Sequence, residues 1–253
     1  MANCRFLYDN RWKAATTTLT ASTAEVYFPA TKTQKRAPGR RWRSTTVVTD
    51  QTLTADLGAD YATKPVRAFS IRGNNFTATA VVTIQATHED EAGHWAAPDF
   101  EAILNPVDNT MMGAFFEEQI FQFWRLLISD IDNPNVHVEA GPIFLGPYFE
   151  PAVNYKIGGT ATPEDLSIIT KAAGGQRTAV IHDQPGVWQY AFRTFEKPSF
   201  ETIRRAVGWS LPFWFCEDPD VPNATLYVVA TAWEWEHLHL TTWTLTLSLA
   251  EEV

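Results

Sequence analysis

The strongest constraint on this chain is a hydrophobic period of two. Leu53, Ala55 and Leu57 alternate with Thr52, Thr54 and Asp56 before Gly58 ends the run. That spacing puts the apolar side chains on one face of a strand and the polar ones on the other. Val66 to Arg72 is short, β-branched and aromatic, and Gly73-Asn74-Asn75 follows it as a turn. Ala78 to Thr87 sets Val82, Ile84 and Ala86 against Thr83, Gln85 and Thr87. Gln119 to Ser129 is apolar on both faces and belongs in the middle of a sheet. Val136 to Ala140, Ile143 to Leu145, Thr178 to His182 and Val187 to Phe195 continue the series. Regular short strands between turn signals predict a mainly β fold, a sandwich or a barrel. Abundant threonine, ten Trp and 16 Phe point the same way.

Two segments carry a helical signal. Phe100 to Leu104 is a short one. Pro198 to Val207 is fuller: Ser199 as cap, Glu201 in the first turn, Arg204 and Arg205 in the last, and Gly208 beyond. Phe200, Ile203 and Val207 share a face, so this helix is expected to lie on a sheet. Between Tyr155 and Leu166 the text turns small and polar, IGGTATPEDL, which marks a boundary or a long crossing loop. The expected organisation is a sandwich over 1–152 and a second β domain over 153–253 with its helix near 198–207.

Charge narrows the partners. The net charge is -9, the wrong sign for a general nucleic-acid binder. It is unevenly placed: residues 1–43 hold nine Lys/Arg against Asp9 and Glu25, a net of +7, so the other 210 residues carry -16. No apolar run approaches the roughly 18 to 20 residues that span a bilayer, and membrane insertion is not expected. The start of the chain lacks the layout of a secretory signal. Cys4 and Cys216 lie far apart in sequence without a CxxC, which predicts buried free thiols.

Chemical motifs are few. His88-Glu89-Asp90-Glu91-Ala92-Gly93-His94 spaces its histidines by six, not by the four that share a helix face, and reads as a solvated loop. Asp130 to Asn135 has the acidic look of a calcium loop, but Pro134 takes a ligand position and the sixth residue is not Gly. An Asx-rich turn is the plainer reading, with a weak calcium site as the alternative. His237 and His239 share one side of a strand with Trp233 and Trp235, two zinc ligands at most. No GxSxG, P-loop or GxGxxG occurs, so neither catalysis nor a cofactor is expected.

Trp12, Trp42, Trp95, Trp188, Trp209, Trp214, Trp233 and Trp235 read mainly as core and interface. Trp42 and Trp95 are the candidates for stacking on a sugar. The sharpest local feature is basic: Lys32, Lys35, Arg36, Arg40, Arg41 and Arg43 fall within 12 residues without one acid, broken by Pro38-Gly39. A solvated loop and a nucleic-acid arm are the alternatives to a protein interface. A cationic loop on an anionic body suits a head-to-tail contact between copies, and these six residues are the expected subunit interface.

Arg41-Trp42-Arg43-Ser44, Gln51 to Gly58, Val66 to Asn75 and Val81-Val82-Thr83-Ile84-Gln85, in that order, resemble the discoidin-type (galactose-binding-like) jelly roll. The loops that carry sugar in that family have no residue-by-residue match here, so the resemblance transfers no sugar site. Trp124 to Asp130, Val138 to Gly146, Gly174-Gly175-Gln176-Arg177, Leu211-Pro212-Phe213 and the closing Ala250-Glu251-Glu252-Val253 are similar to structural proteins of the tail tip or baseplate of long-tailed phages. The last 100 residues resemble the tail-tube fold, a β-sandwich flanked by a helix. That likeness implies a virion protein, a distal or minor tail protein made in the bacterial cytoplasm. It would assemble as a homo-oligomer (ring, trimer or hexamer) with other phage tail proteins. The rival implied by the first likeness is a carbohydrate-binding module for a host surface glycan, and the third reading is a glycan-processing enzyme.

Overall fold

The computed structural model describes residues 3–37, 39–104, 106, 111–156, 160–163, 168–171, 177–180, 185–239 and 241–252. Pro38, Gly174 to Gln176, His182 and much of the IGGTATPEDL segment lie outside the described residues. The protein is mainly β. It forms two compact units, 1–150 with 214–226, and 151–213 with 227–253.

The first unit is built from β1 (Arg5–Leu7), β2 (Thr18–Ala21), β3 (Trp42–Arg43), β4 (Gln51–Asp56), β5 (Val66–Arg72), β6 (Val81–Thr87), α1 (Ala92–Ala96), β7 (Phe100–Leu104), β8 (Met111–Gln119), β9 (Phe123–Ser129), β10 (Glu139–Ala140) and β11 (Ile143–Gly146). A five-stranded antiparallel sheet runs β2-β4-β9-β6-β7, and a three-stranded one runs β11-β5-β8. Their inward side chains share one core: Leu53, Trp124 and Ile84 from the first sheet, Phe69, Ile143 and Met112 from the second. Two antiparallel sheets closing over one core make a β-sandwich. β1 pairs with the returning segment, Phe6 opposite Phe215.

The period-two reading of Gln51 to Asp56 is reproduced, with Gln51, Leu53 and Ala55 buried and the residues between them half-exposed. Three details differ. Phe100 to Leu104 is a strand, because its register against β6 aligns five consecutive pairs, Ala86–Phe100 to Val82–Leu104, which a helix would forgo. The 78–87 run begins its strand only at Val81; Ala80 first closes a turn by donating to the Thr77 carbonyl. The 119–129 run breaks in two: β8 ends at Gln119 and β9 starts at Phe123, central in its sheet as expected.

The second unit contains β12 (Thr160–Pro163), β13 (Ile168–Lys171), β14 (Arg177–Val180), β15 (Gly186–Thr194) and α2 (Lys197–Val207). After β16 (Phe213–Cys216) the chain enters β17 (Leu226–His239) and β18 (Thr242–Glu251), which form a long hairpin. β18 also pairs with β15, and β15 with β12. Helix α2 buries Phe200, Ile203 and Val207 as its periodicity demands. Ser199 is not its cap: the cap is Glu196, which makes no side-chain cap bond, while Pro198 sits where a missing N–H costs nothing. Gly208 ends it at φ 58, a conformation that glycine adopts without strain. Lys197 Nζ lies 3.4 Å from the centre of the Trp243 ring, and His237 stacks on Trp243 at 4.3 Å between centres. Cys4 and Cys216 are buried free thiols, and burial raises both pKa values. Among the described residues no helix is long and apolar enough to cross a membrane.

Candidate functional site

One end of the sandwich gathers most of the charged residues that the sequence singled out. Register aligns Ala21 with Leu53, Gln51 with Ile128, and Val81 with Ser129. The loops 22–41, 44–50, 73–80 and 130–138 therefore all spring from the same end of the five-stranded sheet. The two-residue strands β3 and β10 pair among these loops, with Glu139 directly opposite Arg43 and Ala140 opposite Trp42.

Strand alternation then sorts the Arg-Trp-Arg-Ser run. Trp42 and Ser44 point inward and are fully buried, while Arg41 and Arg43 point outward. Trp42 donates its indole N–H to the Thr23 carbonyl at 2.9 Å. Its ring is core, so it offers no face to a sugar, and the stacking role expected for it is withdrawn. Arg43 donates to Glu139 through Nε at 2.8 Å and pairs with it through Nη2, 2.6 Å away, and Arg41 donates through Nη1 at 3.0 Å. The guanidinium of Arg43 also lies 4.2 Å above the Phe28 ring and 3.5 Å from Glu25. Internal partners thus engage Arg41 and Arg43, which were expected at a subunit interface. Lys32 is half-buried on a turn that Thr33 anchors, its hydroxyl accepting from the Trp12 indole at 2.9 Å. Lys35, Arg36 and Arg40 are exposed.

Glu139 is the hub. Burial alone would raise its pKa, but the hydrogen bonds and charges of Arg43 and Arg41 outweigh that and hold the carboxyl below its ordinary range. His137 Nε2 stands 3.3 Å from the same carboxylate. Asn75 braces the loop from beneath, accepting from the Glu139 amide at 2.6 Å and donating to the His137 carbonyl at 3.0 Å. Asp130 is buried and fully engaged, accepting from Thr77 N–H and O–H and from the Asn133 side chain. Asn133 in turn donates to the Asn75 carbonyl. The Asp130 to Asn135 stretch is therefore an Asx-rich turn that supports the hub. It places Val136 at φ 55, a strained conformation for a β-branched residue. Around the hub the loops expose Val26, Tyr27, Val48, Ile131 and Val136, with Tyr27 82% accessible.

The opposite end holds Trp95. Arg125 covers one face of its ring at 4.2 Å, and its indole N–H donates to Asp90 at 2.7 Å. Arg125 is itself held by Gln85, and Gln85 by Glu101, in a row across three strands. Trp95 thus ties the 88–99 loop to the sheet. Glu89, Glu91 and His94 approach one another there, all exposed, the one grouping of possible metal ligands among the described residues. His237 and His239 belong to the second unit, and His237 is spent on Trp243. A cleft of about 630 Å³ lies between the ends of β7 and β8 and the 220–224 loop, where Asn223 Oδ1 already accepts from the Gly113 amide.

Glu139, His137, Asn75, Phe28 and Tyr27 escaped the sequence reading. The available signal was an acid between apolar neighbours, Val138-Glu139-Ala140, in a run otherwise destined for burial.

No protein-family model and no curated protein matches this chain. Its similarity to solved structures covers about half of it. A family 32 carbohydrate-binding module of C. perfringens NanJ, solved with galactose, aligns at 14% identity over 57% of this chain and 99% of that one, TM-score 0.40. A Streptococcus pneumoniae fucose binding module aligns at 11% identity over 54% and 94%, TM-score 0.41. A Ruminococcus gnavus GH29 fucosidase in complex with fucose aligns at 12% identity over 56% and 27%, TM-score 0.43.

Proposed function

We propose that the first unit is a non-catalytic carbohydrate-binding module whose sugar site is the loop-end hub of Arg41, Arg43, Asn75, His137 and Glu139, flanked by Phe28 and Tyr27. One observation carries the reading: two arginines and a glutamate hold one another in fixed positions while staying partly open to water. Sugar hydroxyls donate and accept at once, so a site for them needs donor forks beside an acceptor. The C–H face of a sugar ring needs an apolar surface, which Tyr27 offers. Prearranged side chains spare the ordering entropy that otherwise weakens small-ligand binding.

Titration of the full chain with a panel of neutral and acidic oligosaccharides tests this. Tyr27→Ala, which removes an exposed ring with no packing role, is expected to weaken binding about tenfold or more. Failure of the wild-type chain to bind any member of the panel defeats the proposal.

A second reading makes the chain a structural virion protein of a phage tail tip that docks neighbouring tail proteins. It is favoured by the exposed Lys35, Arg36 and Arg40 on a chain whose remainder is acidic. Recovery of the protein in purified virions would support it, and its absence from them would end it.

A further inference from the structure

The five-stranded sheet of the first unit ends on an uncovered strand, and we infer that the outer edge of β7 takes an extended, lysine- or arginine-bearing segment of another protein as an added strand. The inference uses no residue of the loop-end hub, so it stands or falls apart from the sugar reading.

β7 pairs with β6 along one edge, and among the described residues no strand pairs with the other. A bare edge presents a row of backbone N–H and C=O groups, and folds usually blunt such a row with Lys, Pro or a bulge. Phe100 to Leu104 has no Lys or Pro, and its register against β6 runs without a shift. Its Ile103 is 66% accessible. The edge of β8 nearby is closed instead. There the 220–224 loop lies on the strand: Asn223 accepts from the Gly113 amide at 3.0 Å, and a Cβ on Gly113 would stand 2.9 Å from the Pro222 carbonyl oxygen. Turns fix that loop, Thr225 donating its hydroxyl to the Pro222 carbonyl at 2.7 Å and the Val221 amide donating to the Asp218 carbonyl at 2.9 Å.

The cleft of about 630 Å³ lies beside the open edge, with Ile103 and Leu104 in one wall and Phe115 and exposed Val221 in the other. Unpaired backbone groups select an extended chain, since a helix satisfies its own. Side chains of an added strand alternate, so every second one would enter the cleft and the others would lie outside, beside Glu101 and Ile103.

Charge selects the composition of that segment. Residues 100–104, 111–120 and 214–226 hold Glu101, Glu117, Glu118, Glu217, Asp218 and Asp220 and no Lys or Arg. Four arginines approach from neighbouring elements. Arg5 lies 4.5 Å over the Phe115 ring and is bonded to Glu150, and Arg67 lies over Tyr148. Arg72 stands opposite Met111, and Arg125 reaches Glu101 through Gln85. Counted together with Glu150, these groups leave a net of -3. A second copy of β7 would bring another Glu101 to the same edge, so a cationic segment is the better complement.

Calorimetric titration of the full chain with an end-blocked octapeptide of alternating valine and lysine tests the inference. Saturable binding is expected below about 1 mM. Methylating the peptide's backbone amides removes its donors and should weaken binding about tenfold or more, and so should glutamate in place of its lysines. Ile103→Lys and Asp220→Lys, both at exposed positions, should each weaken it severalfold, while Glu139→Gln should leave it unchanged. No saturable binding by the wild type overturns the inference, and so does equal binding of the methylated or the glutamate peptide. A wild-type dimer that Ile103→Lys separates in sedimentation also overturns it, by giving the edge to a second copy. If either variant loses the wild-type circular dichroism, the three peptides on the wild type decide.

Discussion

Replacing Glu139 by Gln tests whether the hub is a built structure or a chance meeting of surface charges. The carboxylate accepts two N–H groups, one from each arginine, and is mostly shielded, with 11% of its side chain accessible. A charge-assisted hydrogen bond in a shielded place contributes about 1.5–3 kcal/mol. Arg41 and Arg43 keep 36% and 28% of their side-chain surface and regain water when released, so the contribution is discounted to about 1 kcal/mol for each. The expected loss is therefore about 2 kcal/mol, read from urea unfolding at pH 7. Hydrogen exchange in peptides covering β3 and β10 should localise that loss. The sign with pH is fixed as well. A carboxyl whose folded pKa lies below its ordinary value stabilises the fold above that value and stops doing so as pH falls through the folded pKa. The difference between wild type and Glu139→Gln should be full at pH 7 and shrink once the pH drops below 4.5, the ordinary value. A loss under about 0.5 kcal/mol at pH 7 refutes the reasoning, since a single exposed ion pair already reaches that much. A difference that stays constant into acid refutes it equally.

Four other substitutions probe the supports. Trp42→Ala removes a fully buried indole from the core and should cost about 3–5 kcal/mol in urea unfolding, whereas Tyr27→Ala should stay within about 0.5 kcal/mol. Val136→Gly relieves a left-handed backbone at φ 55, and the gain, net of the added freedom of the unfolded chain, should be about 0.5 kcal/mol by the same assay. In the second unit, Lys197→Met removes the ammonium over Trp243 and should cost about 0.5–1 kcal/mol, accompanied by a change in tryptophan fluorescence.

The strands were legible where packing repeats a simple rule. Leu53 and Ala55 alternate with polar neighbours because one face of their sheet meets a core, and the 3.6-residue period likewise exposes Phe200, Ile203 and Val207 as a helical face. Legibility failed where a local signal was weaker than a pairing made at a distance. Phe100 to Leu104 has no strand signature of its own and becomes a strand because β6 offers it a partner. The cap of α2 was misplaced for a related reason, since Ser199 satisfies the statistical preference while Thr194 Oγ1 instead steadies the true cap through the Glu196 amide.

The hub shows what a linear reading loses. Six cations within 12 residues look like one feature, and the fold divides them by a rule that the sequence does contain. Arg41 and Arg43 flank a tryptophan, so in a strand they must share the face opposite to it. Burying Trp42 therefore determines that both guanidinium groups emerge together, 3.0 Å or less from whatever acid the facing strand supplies at that register. The identity of that acid is the part no local rule provides, because Glu139 stands 96 residues from Arg43. Lys35, Arg36 and Arg40 lie on the exposed turn, with no tryptophan beside them in the chain to assign their faces. The same basic run thus contributes an internally compensated cluster and an exposed cationic tip. Arg43→Ala should accordingly lower stability and sugar binding together, while Lys35→Glu with Arg40→Glu should leave urea stability within about 0.5 kcal/mol. A loss of stability from the second pair equal to that from the first would mean that the division is wrong.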